Sequence, residues 1–270
     1  MLIPPPYTSM PALHPDTFAI PCLNWTTAPV HLELDDLGSF RGMFTNLQRR
    51  GFVDICEHYL PNAKTAGMLY SADINDLELQ LLSEINSTTA LWNTKNQIPT
   101  DEDLVRIAVG IQLWGGTTGR YPFIREGGFS YNFSVESYRT ILHHLRTSPP
   151  LIGELPNANL EQAKALWCGD TFKYFGVSFA TKHFSFWSRA KGMPTALPIY
   201  DNIIAKMVTG RDKADWRHYW PYVNGMHTAV AQINRENPHL GGAYSVTQLE
   251  RQLFVWAGSS ESTAWRREVA

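Results

Sequence analysis

The chain has 270 residues, 44% hydrophobic and 18% charged, with a formal net charge of −2. That length and balance fit one large globular domain or two intimate subdomains, and exclude a disordered chain. No apolar run reaches the roughly 18 residues needed to span a bilayer, residues 1–8 lack the basic start of a secretory signal, and no Cys-x-x-Cys pair joins Cys22, Cys56 or Cys168. A cytoplasmic monomer with no membrane partner, no cofactor, no metal and no disulfide framework is therefore expected.

In chain order, residues 1–31 are proline-rich and aperiodic, as in an extended arm laid over the body. Residues 36–59 place Phe40, Phe44, Leu47 and Val53 at helical spacing, broken by Gly51. Leu77, Leu81, Leu82 and Ile85 form a helical stripe within 73–91. Thr100 followed by Asp103 resembles a capping box, opening a helix through Leu104, Ile107, Ala108 and Ile111 to Trp114. That helix stops at the glycine-rich turn Gly115-Gly116-Thr117-Thr118-Gly119-Arg120. Ser134 caps a helix through Tyr138, Ile141, Leu142 and Leu145, ended by Pro149-Pro150. Next come a helix from Asn159 to about Tyr174, a short turn over 176–181, and a helix from Lys182 to near Gly192. Asp201 caps a helix over 202–208, and two more are expected over 215–234 and 245–257. Strand-like alternation is rare and no repeat is present, so the fold is expected to be all-α, a single domain over 1–270.

One segment carries chemistry. It reads Gly176-Val177-Ser178-Phe179-Ala180-Thr181-Lys182, then Leu197-Pro198-Ile199-Tyr200-Asp201, with Asp201 standing 19 residues after Lys182. This resembles the helix-hairpin-helix DNA glycosylase superfamily, and within it a bacterial branch with the 8-oxoguanine DNA glycosylase fold. The family's Gly-Val-Gly-Thr-Lys hairpin delivers a lysine nucleophile, and a following Pro-Val-Asp places the catalytic aspartate. Here the hairpin is two residues longer and less glycine-rich, and one residue is added between Pro198 and Asp201. The resemblance implies two helical subdomains around a cleft, a helix-hairpin-helix over 159–192, and a bifunctional glycosylase/AP lyase on DNA with Lys182 and Asp201 as catalytic pair. Gly176, Ser178 and Thr181 would then hold DNA phosphate.

The chemistry of such a pair can be argued independently. An amine at a helix N-terminus faces the positive end of the macrodipole, which favours its neutral, nucleophilic form. A neutral lysine can attack a sugar C1′ and form a Schiff base. A carboxylate at an N-cap is held ionised and oriented by backbone N–H groups, ready to stabilise positive charge on the sugar.

Two further stretches resemble family elements: the turn over 111–120 is similar to that branch, and the C-terminal helix to the 8-oxoguanine glycosylases, with Glu250 in the place of the family's Gln. In the turn 111–120, Trp114, Gly115 and Gly116 are expected near the base and Arg120 on a phosphate. In the helix over 245–257, Glu250 and, four residues later, Phe254 stand where the family holds the flipped base by its edge and face. A carboxylate can accept from N1–H and the exocyclic amine of a guanine-like base, so a modified guanine is the expected substrate. His183, beside the nucleophile, is expected to pack rather than react, and the histidines show no metal-ligand spacing.

Charge supports a nucleic-acid partner locally. Residues 163–217 hold nine basic and four acidic side chains, whereas 54–103 hold nine acids and two lysines. Two other readings remain at this point: the same fold acting on another (deaza)guanine nucleoside or nucleotide in a defence pathway, and a non-catalytic nucleobase-binding adaptor.

Overall fold

The computed structural model describes residues 74–95, 97–115, 124–125, 128–129, 133–149, 157–169, 175–190, 195–242 and 244–257. The expected arm over 1–31 and helix over 36–59 lie outside them. The described residues are mainly helical. Eight α-helices run α1 (Ile74–Lys95), α2 (Asp101–Trp114), α3 (Val135–Thr147), α4 (Ala158–Cys168), α5 (Val177–Ser188), α6 (Asn202–Thr209), α7 (Trp216–Glu236) and α8 (Val246–Ala257). Between α2 and α3, β1 (Ile124–Arg125) and β2 (Gly128–Phe129) pair antiparallel, Ile124 opposite Phe129 and Arg125 opposite Gly128.

Local chemistry explains most helix starts. Thr100 Oγ1 accepts from Asp103 N at 3.1 Å while Asp103 Oδ2 accepts from the Thr100 hydroxyl at 2.7 Å, a reciprocal cap. Ser134 caps α3 by accepting from Ser137 N. Ser245 and Gln248 make the same reciprocal arrangement ahead of α8. Asp215 caps α7, and α6 ends on Gly210, whose φ of 70° is the left-handed conformation glycine adopts without strain.

Three expected boundaries shift. The cap of α4 is Asn157, whose side chain accepts from Leu160 N, while Asn159 reaches back to Thr147 O. That helix closes at Cys168, not near Tyr174. The third shift matters most: α5 begins at Val177, directly after Gly176, so 176–181 is not a turn and Lys182 occupies the second turn of its helix. Nothing in Val177-Ser178-Phe179-Ala180-Thr181 breaks a helix, and Phe179 N and Ala180 N both bond Gly176 O at 3.0 Å.

The core is organised around α5. Every residue from Ala180 to Ser188 is buried, the pattern of a helix enclosed on all sides. Helices α1, α2 and α3 pack on it, while α4 lies mainly against α3 and touches α5 through Trp167, 5.1 Å from the His183 ring and 5.7 Å from Phe184. The other set is α6 and α7, both packed on α8. Phe184 meets Trp216 and Tyr219 of α7, joining the two sets. A second tie is ionic: buried Glu78 of α1 pairs with Arg189 at the end of α5 and with Arg251 of α8. No helix among the described residues is long and apolar enough to cross a membrane.

Candidate active site

The site is built on a short buried stretch of irregular chain, Leu197 to Tyr200, that leads into α6. Buried N–H groups need acceptors, and side chains from two helices supply them. Ser188 Oγ accepts from Leu197 N at 2.8 Å, Glu250 Oε2 from Ile199 N at 2.9 Å, and Thr181 Oγ1 from Tyr200 N at 3.0 Å. Proline at 198 has no N–H to satisfy. The carbonyls are gripped as well: His227 Nε2 bonds Ala196 O at 2.8 Å and the Tyr219 hydroxyl donates to Pro198 O at 3.3 Å. A segment without regular structure is thereby fixed in position.

Asp201 follows at once and divides its two oxygens. Oδ1 accepts from Ile203 N and Ile204 N, both at 3.0 Å, which caps α6. Oδ2 lies 3.7 Å from Lys182 Nζ. Side chains on a helix lean toward its N-terminus, so Lys182, though one turn in, extends back to the first turn. There Nζ donates to Ser178 O at 3.3 Å and sits 5.7 Å from the Phe179 ring centre. The lysine side chain is only 7% exposed and that of Asp201 13%.

The stem of the lysine is confined by Gly115. A Cβ at that position would stand 3.0 Å from Lys182 Cδ, inside ordinary contact. Gly115, expected near a base, is seated against the Lys182 stem, which a side chain at position 115 would have to displace.

Behind Lys182 the neighbouring His183 is enclosed. Its Nε2 lies 2.6 Å from Gln112 Nε2 and its Nδ1 2.8 Å from the Tyr138 hydroxyl, which also accepts from Trp187 Nε1 at 2.8 Å. Burial, with the Lys182 charge beside it, lowers the His183 pKa to about 3, so the ring is neutral. This is the packing role its sequence position implied.

The remaining expected residues divide clearly. Ser178 and Gly176 lie at the start of α5, where Ser178 Oγ donates to Asn202 Oδ1 at 3.3 Å, bringing the first turns of α5 and α6 side by side. Thr181 is corrected: it is fully buried, and its hydroxyl bonds Val177 O and Tyr200 N, so it clips backbone and offers nothing to a phosphate. Glu250 is buried, and its Oε2 accepts from Ile199 N. Burial raises its carboxyl to about 7, against the opposing pull of the Ile199 N–H and Arg189. Trp114 is buried edge-on to Phe186, ring centres 5.1 Å apart, which makes it core and not an open stacking platform. Phe254 is half-buried against the same core. Gly116 and Arg120 lie outside the described residues.

The basic region is partly neutralised, by three acids of its own and by Glu161 and Glu78 outside it. Lys164 pairs with Glu161, Lys182 with Asp201, Arg189 with Glu78, Lys206 with Asp212 and Arg217 with Asp215. Arg211 and Lys213, past the end of α6, are exposed. Among the described residues no group of three or more His, Cys, Asp or Glu lies together as a metal site would require.

Sequence reasoning missed Ser188, Phe179, Asn202, His227 and the Glu78–Arg189–Arg251 cluster. No local signal marks them, because each acts across 9 to 173 positions of chain or through an ordinary helix residue. What the assembled geometry offers is a buried amine and an N-capping carboxylate facing one another, each held by groups on other elements. No family model, curated protein or solved structure matches this chain.

Proposed function

We propose that the protein is a helix-hairpin-helix-type DNA glycosylase with AP lyase activity, acting on a modified guanine through a Lys182 imine. One observation carries the reading: Asp201 uses one oxygen as the α6 cap and turns the other to Lys182 Nζ at 3.7 Å. A structural N-cap has no need of a buried amine opposite its second oxygen, and a structural lysine has no need of burial.

The steps follow from those two groups. Asp201 takes a proton from the ammonium, leaving a neutral amine; the 3.7 Å separation must close by about 1 Å, as catalytic contacts do when substrate binds. The amine attacks C1′ as the bond from C1′ to the base nitrogen breaks and the base departs with that electron pair. Asp201 passes the proton it took to the departing base, and the restored carboxylate stabilises the positive charge that develops on the sugar. A proton moves from the adduct nitrogen to the ring oxygen O4′ as the C1′–O4′ bond breaks, which opens the sugar to a protonated imine, and abstraction of a C2′ proton then expels the 3′ phosphate, nicking the strand. The target nucleotide must leave the duplex to reach so enclosed a pair.

The test is borohydride trapping. Abasic-site DNA and borohydride should cross-link to the chain, and Lys182→Gln should abolish the cross-link. An undiminished cross-link in that variant would assign the nucleophile to another amine.

The internal pairing of five basic side chains gives weight to a second reading, a free guanine-type nucleoside or nucleotide as substrate. Neutralising several phosphates makes DNA affinity fall steeply with salt. A salt-independent affinity together with turnover of the mononucleoside would favour that second reading.

A further inference from the structure

We propose that Glu250 is a positioning residue, holding Asp201 against Lys182 through the backbone of Ile199. The inference rests on the imine reading only where activity is the readout. Asp201 lies two residues beyond Ile199. The Ile199 N–H is taken from α8 by Glu250 Oε2 at 2.9 Å, and the next N–H, of Tyr200, is taken from α5 by Thr181 at 3.0 Å. Thr181 directly precedes Lys182. The backbone that carries the carboxylate is thus gripped from the nucleophile's own helix on one side and from Glu250 on the other. Withdraw the Glu250 acceptor and a buried N–H loses its partner. Ile199 must then move to recover one, and Asp201 moves with it.

The surroundings suit a charged grip. Arg189 and Arg251 flank the carboxylate, themselves tied to buried Glu78. On α7 the Tyr219 and Tyr222 phenols feel its charge; burial first, and the Glu250 charge after it, hold both protonated. Burial sets the carboxyl near 7, with Ile199 N–H, Arg189 and Arg251 drawing it down and Glu78 pushing it up. An ionised carboxylate accepts more strongly than a protonated one. The grip on Ile199 is therefore full above that pH and weakens as pH falls through it.

Two variants of the full chain test this, Glu250→Ala and Glu250→Gln. The glutamine keeps an acceptor and removes the titration. Single-turnover base excision and abasic trapping are followed from pH 6 to 8, with affinity for abasic DNA. Independently of activity, the Lys182 amine is titrated by NMR in DNA-free protein whose lysines carry 13C-methyl groups. Glu250→Ala should slow excision and trapping together, by about tenfold, with DNA affinity within about twofold of the parent. Glu250→Gln should restore most of the rate at pH 8 and flatten the part of the pH profile that the parent loses toward pH 6. The Lys182 resonance should titrate differently in Glu250→Ala and return toward the parent in Glu250→Gln at pH 8. A fall in excision with trapping untouched would overturn the proposal in favour of base contact by Glu250. Unchanged rates and an unchanged Lys182 titration in Glu250→Ala would overturn it outright. If the parent chain itself fails to trap, the imine reading falls. The lysine resonance then decides alone: a response to Glu250→Ala supports the grip and no response refutes it.

Discussion

Adding one methyl group at Gly115 should displace the Lys182 amine without unfolding the protein. The Cβ of Gly115→Ala would lie 3.0 Å from Lys182 Cδ, 3.3 Å from Gln112 O and 3.4 Å from Ile111 O. The two carbonyls belong to α2 and cannot retreat easily, but the lysine stem can. An ordinary carbon–carbon contact is about 3.5–4.0 Å, so Cδ must move by roughly 0.5 Å or more. Carried two bonds further, the shift at Nζ approaches about 1 Å, and a misplacement of that size costs on the order of 10²-fold. We expect imine formation to slow about 10- to 100-fold, roughly 1.4–2.7 kcal/mol in barrier. Stability should fall by less than the about 1–3 kcal/mol typical of overpacking a rigid core, because a flexible side chain yields. Single-turnover borohydride trapping on abasic DNA, run beside thermal melting and a DNA-affinity measurement, reads all three quantities. A folded Gly115→Ala protein that traps at the parent rate would refute the argument. So would a loss of trapping that merely tracks the fraction unfolded.

Other outcomes follow from the same geometry. Asp201→Asn keeps both cap hydrogen bonds but not the charge, so trapping should fall at least roughly 10²-fold, about 2.7 kcal/mol. Asp201→Ala should in addition lose about 0.5–2 kcal/mol of stability with the cap, measured by denaturant unfolding; equal stability of the two variants would show that the cap is not worth having. Thr181→Val, nearly isosteric, strips the buried Tyr200 N–H of its acceptor and should lower unfolding free energy by about 1–3 kcal/mol. The pH dependence of stability has a definite sign at His183: its folded pKa, about 3, is below the unfolded value near 6.5, so the unfolded state binds the extra proton and stability falls as pH drops below 6.5. Glu250, raised when folded, contributes in the opposite sense between about 4.5 and 7. Comparing the pH profile of the parent with that of His183→Gln isolates the histidine part, up to about 1.4 kcal/mol per pH unit; identical slopes would mean that His183 is protonated in the folded protein.

How much of this was legible in the sequence depends on the range of the interaction. The helices announced themselves through spacing and caps: Thr100 with Asp103, and Ser134, each satisfy N–H groups three residues away, and local chemistry of that kind is written in adjacent letters. Asp201 was readable as a cap for the same reason. Glu250 and Thr181 were not readable as backbone acceptors, since their partners lie 51 and 19 residues away. A buried glutamate on a helix and a threonine beside a lysine look the same in sequence whether they face a ligand or a neighbouring loop. Gly115 was singled out for close approach, and close approach is what the fold requires of it, but the body that approaches is the Lys182 stem.

The displaced start of α5 shows how a misplaced helix boundary can leave an atom near its expected place. Reading a turn over 176–181 placed Lys182 at the first position of a helix. The helix in fact begins five residues earlier, at Val177, because no glycine or proline interrupts the run. Five residues into a helix the Cα lies about 7.5 Å further from the end. A lysine side chain on a helix leans toward the N-terminus and recovers most of that distance. Nζ accordingly returns to Ser178 O, on the second residue of the helix, and meets Asp201 at the N-terminus of α6. The amine therefore stands where two helix starts converge. A side chain one methylene shorter could not reach as far, so ornithine at position 182, introduced by chemical synthesis, should keep the fold yet leave the amine about 1 Å or more from its place, with trapping slowed on the order of 10²-fold. Trapping at the parent rate would show that reach does not set the position of the amine, and that the carboxylate follows the amine instead of awaiting it.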